Sequence, residues 1–132
     1  MPITALYASL LVPLFLLLAS RVIRARRGAS VAVGDGGNAF LMRRMRVHAN
    51  FAEYVPLALL LMALAEGLGT SNWLLHALGI ALLGSRLVHA FGMSQVEEKF
   101  AFRVAGVVTT FWILATAALA CFYGALTRGI GL

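Results

Sequence analysis

Arg46, Asn50 and Glu53 stand at i, i+4 and i+7, a spacing that puts all three on one face of an α-helix over two turns. Each has a distinct binding chemistry. An arginine fork holds a carboxylate through two parallel hydrogen bonds, an asparagine amide both donates and accepts, and a glutamate accepts from an ammonium. A stripe of these three suits a small zwitterion or polyanion. Glu53 lies roughly 10 Å along the helix axis from Arg46 at 1.5 Å per residue. Its surroundings are so apolar that an ionised carboxylate there must face a partner or a cavity. Two further pairs share the pattern. Arg86 and His89 are three apart, and Lys99 and Arg103 are four apart, so each pair occupies one helical face. If three helices bring these groups to one depth, they line a polar pocket walled by apolar side chains.

The elements that position them follow from composition. The chain has 132 residues, is 61% hydrophobic and only 12% charged, and its mean hydropathy is +0.90. A soluble domain carries about 25% charged residues, so this chain holds about half the usual solvating charge. The charge it has is clustered, which leaves long uncharged runs. A spanning helix needs about 20 apolar residues, and the length accommodates four spans with short connections. The reading is a single all-α integral membrane domain, an up-down bundle with helices over roughly 3–22, 39–66, 71–91 and 94–125. The N-terminal run lacks the basic start of a secretory signal and is read as a retained first span. Asn38 is placed to cap the second helix. Gly67 and Gly69 end it, Thr70 and Ser71 open the third, and Ser94 with Glu97 has the spacing of a capping box. The glycine-rich stretch from Gly28 to Asn38 is read as a flexible loop.

The net charge of +6 would point to nucleic acid in a soluble chain. Here the basic residues gather at helix ends. Arg21, Arg24, Arg26, Arg27, Arg43, Arg44 and Arg46 flank the first connection, and Arg86, Lys99 and Arg103 flank the third. The second connection has none, and the C-terminal tail has only Arg128. The positive-inside rule explains this without a nucleic-acid partner and orients the first and third connections to the cytoplasm, with both termini outside. Arg21, Arg26, Arg27, Arg43 and Arg44 are read as topology anchors. A lone cysteine, Cys121, excludes an internal disulfide, and His48, His76 and His89 fall at no metal-ligand spacing. His48, His76 and Cys121 are read as packing residues, and Glu66, Glu97 and Glu98 as helix-end residues. Thr116, Ala120 and Gly124 form a small-residue face for close helix packing.

The second-helix motif, R-x-x-x-N-x-x-E-Y-x-P from Arg46 to Pro56, resembles the signature of the MAPEG family, the membrane-associated proteins in eicosanoid and glutathione metabolism. Arg86-x-x-His89 before Gly92, and Lys99 with Arg103, are similar to the family's third- and fourth-helix motifs. The resemblance implies a homotrimer of four-helix bundles in a bacterial inner membrane, with glutathione as co-substrate bound between subunits near the cytoplasmic face. Arg46, Asn50, Glu53 and Tyr54 would hold it, together with Arg86, His89 and Lys99. Arg24 from a neighbouring first helix would complete the site, and Arg103 would stabilise the thiolate. The implied activity is that of a transferase or peroxidase acting on lipophilic electrophiles dissolved in the membrane lipid. The alternative is a non-enzymatic lipid-binding scaffold of the same family. Met93 and Val104 depart from positions where family members carry hydroxyl side chains. A channel or exporter would need polar residues along a whole transmembrane path, and the outer halves of these helices lack them.

Overall fold

Each of the four apolar runs forms a continuous helix. The structure, a computed structural model, describes residues 1–94 and 100–128. It consists of α1 (Pro2–Ala29), α2 (Ala39–Gly67), α3 (Asn72–Ser94) and α4 (Phe100–Arg128). All four are long and apolar enough to cross a membrane. Asn38 caps α2 as expected, its side-chain oxygen accepting from the Leu41 N–H at 3.0 Å. At the other end of α2, Gly69 takes a φ of 76°, which ends the helix in the left-handed region. Pro13 and Pro56 both lie inside unbroken helices.

Helix α1 runs well past the expected end near residue 22. Hydropathy marks where a helix leaves the lipid, whereas arginine is a good helix former, so the basic turns continue to Ala29 and stop at Ser30, with φ 55° and ψ 36°. The loop that follows is braced. Arg26 reaches back across it, donating from Nη1 to the carbonyls of Ala32 at 3.3 Å and Gly34 at 2.7 Å. Arg26 thus has a structural task in addition to its charge. At the third connection, Ser94 is the last residue of α3 and does not open α4. The other half of the expected capping box, Glu97, lies outside the described residues with Glu98 and Lys99. Helix α4 extends to Arg128, about one turn beyond the expected 125.

Within the bundle α2 and α3 touch each other and both outer helices, whereas α1 and α4 make no contact among the described residues. The section is therefore a rhombus with α2 and α3 on its short diagonal. Leu11, Met62, Leu75, Leu82 and Ala117 fill the interior. Large apolar side chains also face outward, with Trp112 70% and Leu119 67% exposed. Outward apolar residues on every helix are what lipid solvation requires. Gly124, on the small-residue face of α4, packs within the chain: a Cβ there would lie 2.8 Å from Leu68 Cβ.

The end of the bundle that carries the N-terminus and the second connection is tied by two polar contacts. Tyr7 Oη and His76 Nδ1 are 3.0 Å apart and join α1 to α3. Glu66, at the end of α2, accepts from the Ile3 and Thr4 N–H groups at 3.0 and 2.9 Å. It therefore caps a neighbouring helix rather than its own, satisfying donors that α1 leaves unpaired. Glu66→Ala should cost about 1–2 kcal/mol, the usual value of a lost cap. Thermal unfolding in mild detergent checks this, and an unchanged midpoint would mean water replaces the carboxylate without loss.

A candidate functional site on α2, α3 and α4

Three helices converge at the end of the bundle that carries the first and third connections. A cleft of about 600 Å³ opens there, lined by Arg43, Arg46 and Asn50 from α2, His89 and Met93 from α3, and Arg103 and Val107 from α4. Four sequence-predicted site residues, Arg46, Asn50, His89 and Arg103, therefore share one cavity. None of its lining residues among those described is acidic. The α2 wall is the helical stripe anticipated above, with one addition. Arg43, expected only as a topology anchor, also lines the cleft. The signal was present in the spacing, because Arg43 precedes Arg46 by three and Asn50 by seven.

Behind that wall sits Arg86, only 2% exposed. It does not line the cleft, as the sequence pattern led one to expect, but is enclosed by three helices. Its Nη1 donates to Asn50 Oδ1 at 2.7 Å, its Nη2 donates to the Gly106 carbonyl at 2.8 Å and to Thr110 Oγ1, and its Nε reaches Ser85 Oγ at 3.5 Å. None of these partners is acidic. The cation is held by neutral oxygens from α2, α3 and α4, at a depth roughly 12 Å below the end of α3 at 1.5 Å per residue. Thr110 also donates to the Gly106 carbonyl at 2.8 Å.

The close approach of α3 and α4 makes this possible. A Cβ on Gly106 would meet His89 Cβ at 2.7 Å and the Ser85 carbonyl oxygen at 2.9 Å. Glycine at this position lets the helices come near enough for Arg86 to reach an α4 carbonyl. Ser85, Gly106 and Thr110 are supports of Arg86 that the sequence alone did not reveal. A serine beside a buried arginine and a threonine one turn after a glycine are faint signals in helices rich in small residues.

The remaining expected residues lie elsewhere. Glu53 is outside the cleft lining, one turn deeper on the stripe, and is exposed on the surface of the single chain. Tyr54 is half-buried and packs edge-on against Phe111 with ring centroids 5.5 Å apart. Arg24 borders a different cleft, of about 620 Å³, between α1 and α2, together with Arg21, Phe40 and Arg44. Because α1 does not touch α4, Arg24 and Arg103 of one chain serve different surfaces. Lys99 lies outside the described residues.

Four apolar spans around a polar, arginine-rich cleft define a polytopic helical membrane protein with a ligand-sized site at one end. Its sequence matches the model of the MAPEG family over residues 4–123, and the chain belongs to that family. It is 37% identical over 118 residues to the inner membrane protein YecN of Escherichia coli K12, covering 89% of this chain and 88% of that protein. The same figures hold for YecN of E. coli O6:H1.

Proposed function

We propose that the protein is a glutathione-dependent membrane transferase or peroxidase acting on lipophilic electrophiles, and that it works as a homotrimer in a bacterial inner membrane with both termini periplasmic. The observation that carries this reading is the convergence of Arg46, Asn50, His89 and Arg103 on one cleft, with no acid among its described lining residues. Glutathione has two carboxylates, an ammonium, two amide groups and a thiol. Arg46 and Arg43 answer the carboxylates, Arg103 is left for the thiolate, and Asn50 answers an amide or carboxylate oxygen. Glu53 is the remaining match, for the ammonium.

Glu53 and Arg24 support a site shared between copies. A carboxylate exposed at membrane depth on a single chain would face lipid, at a cost of a few kcal/mol, unless a second copy covers it. An α1 arginine can join the cleft only from another copy, since α1 and α4 stand on opposite sides of the α2–α3 pair. A trimer in which the α1–α2 cleft of one subunit meets the α2–α3–α4 cleft of the next satisfies both requirements. The electrophile, dissolved in the lipid, would reach the sulfur from the membrane side. In conjugation the thiolate forms a carbon–sulfur bond while the leaving group departs with its electron pair. In peroxide reduction it attacks the terminal peroxide oxygen, breaking the O–O bond and releasing the alcohol once the alkoxide is protonated, and a second glutathione displaces water from the resulting sulfenic acid to form the disulfide.

Titration calorimetry of the purified protein with glutathione tests the reading. Wild type should bind, and Arg46→Ala should weaken binding tenfold or more, which is about 1.4 kcal/mol or above. Absence of binding by wild type would remove the glutathione reading and favour the lipid-binding scaffold. Met93, which lines the cleft and offers no hydroxyl to a thiolate, is a feature on that side, as is Val104.

A further inference from the structure

We infer that Arg86 is a positioning residue that turns Asn50 into a pure hydrogen-bond donor, so that the deep wall of the cleft selects a carboxylate of the ligand. This rests on the glutathione reading for the identity of the ligand, but the orientation of Asn50 follows from contacts within the chain. An arginine side chain has only donors. With Arg86 Nη1 at 2.7 Å, the Asn50 group facing it must be the amide oxygen, and the NH₂ group is left for the cleft that Asn50 lines.

Arg86 cannot swing away to release that oxygen. Its Nη2 is committed to the Gly106 carbonyl and Thr110, and the side chain is closed off from solvent. The consequence for recognition is specific. Asparagine by itself could meet either a donor or an acceptor on the ligand. Clamped in this way it offers two N–H donors beside Arg43 and Arg46, and among the described polar lining residues only the His89 ring can accept. A ligand ammonium or hydroxyl donor finds no acceptor at Asn50, whereas a carboxylate finds donors on every side. Charge and donor geometry then act together, and discrimination arises from mismatched polar groups as much as from attraction.

Two substitutions separate positioning from mere support of the fold. Asn50→Asp places an anion against the buried Arg86 and should leave thermal stability at or above wild type. It also removes the donors, so glutathione affinity should fall at least tenfold, and the loss should shrink with glutathione diethyl ester, whose carboxylates are masked. Arg86→Lys keeps the charge but cannot span Asn50 and the α4 acceptors at once. In protein labelled with ¹⁵N-asparagine, the Asn50 side-chain amide signal, assigned by its disappearance in Asn50→Asp, should shift markedly in Arg86→Lys. A stable Asn50→Asp that binds glutathione as well as wild type would overturn the selection of a carboxylate while leaving the glutathione reading intact. An Asn50 amide signal unmoved in a folded Arg86→Lys would overturn the positioning role, whether or not wild type binds glutathione.

Discussion

Gly106→Ala should lower the thermal unfolding midpoint of the detergent-solubilised protein by roughly 10 °C or more, whereas Gly84→Ala should leave it unchanged or raise it. Both glycines are helical, and both substitutions improve intrinsic helix propensity by about 1 kcal/mol. They differ in what the new methyl meets. At Gly84 there is nothing within 4 Å, while at Gly106 the methyl would press on His89 Cβ at 2.7 Å and on the Ser85 backbone oxygen at 2.9 Å. Backbone cannot retreat as a flexible side-chain tip can, so α3 and α4 must separate. Overpacking of this kind costs about 1–3 kcal/mol. Separation also draws the Gly106 carbonyl away from Arg86, and a hydrogen bond to a charged group is worth about 1.5–3 kcal/mol. Together these are a large part of the roughly 5–15 kcal/mol that holds a typical domain folded. Equal midpoints for the two variants would show that the helices can slide apart without loss, and that the buried guanidinium does not depend on their spacing.

That contrast also marks the boundary of what the sequence revealed. The stripe of Arg46 and Asn50 was legible because helical periodicity alone fixes which residues share a face. The four spans and the Asn38 cap were legible because hydropathy and capping chemistry are local. The position of Arg86 was not. Its spacing from His89 allowed the two to line one surface, yet whether a side chain faces a cleft or the helix behind it depends on how α3 meets α4, and that is set by Gly106, twenty residues further on. The end of α1 was misjudged for a different reason, since a fall in hydropathy records the edge of the lipid and not the end of hydrogen bonding. Arg24 was expected at the site only through a neighbour, and in the single chain it borders a different cleft.

Arg103→Ala should leave glutathione binding largely intact and abolish most turnover. Arg103 is near the start of α4 and lines the cleft with His89 and Met93. A guanidinium stays protonated throughout the working pH range, so it cannot remove the thiol proton; in the proposed reaction its part is to favour the anion once the proton has left. Each unit by which the bound thiol's pKa drops requires about 1.4 kcal/mol of preferential interaction with the thiolate. Starting from an ordinary thiol near 8.5, a depression of two units makes most bound glutathione thiolate at neutral pH. That is a demand of about 2.7 kcal/mol on one guanidinium at the cleft, within the range of a strong ionic hydrogen bond. Met93 offers no hydroxyl to share it, so the dependence should be steep, about 25-fold in the thiolate fraction at neutral pH. The ultraviolet thiolate band of bound glutathione should be present in wild type and missing in Arg103→Ala, while calorimetry shows similar affinities. Arg103→Lys, which keeps the charge on a more flexible stem, should recover part of the band. A wild-type complex that binds glutathione without a thiolate band, and turns over neither electrophiles nor hydroperoxides, would sink the catalytic role of Arg103 and leave the cleft as a site for presenting a ligand.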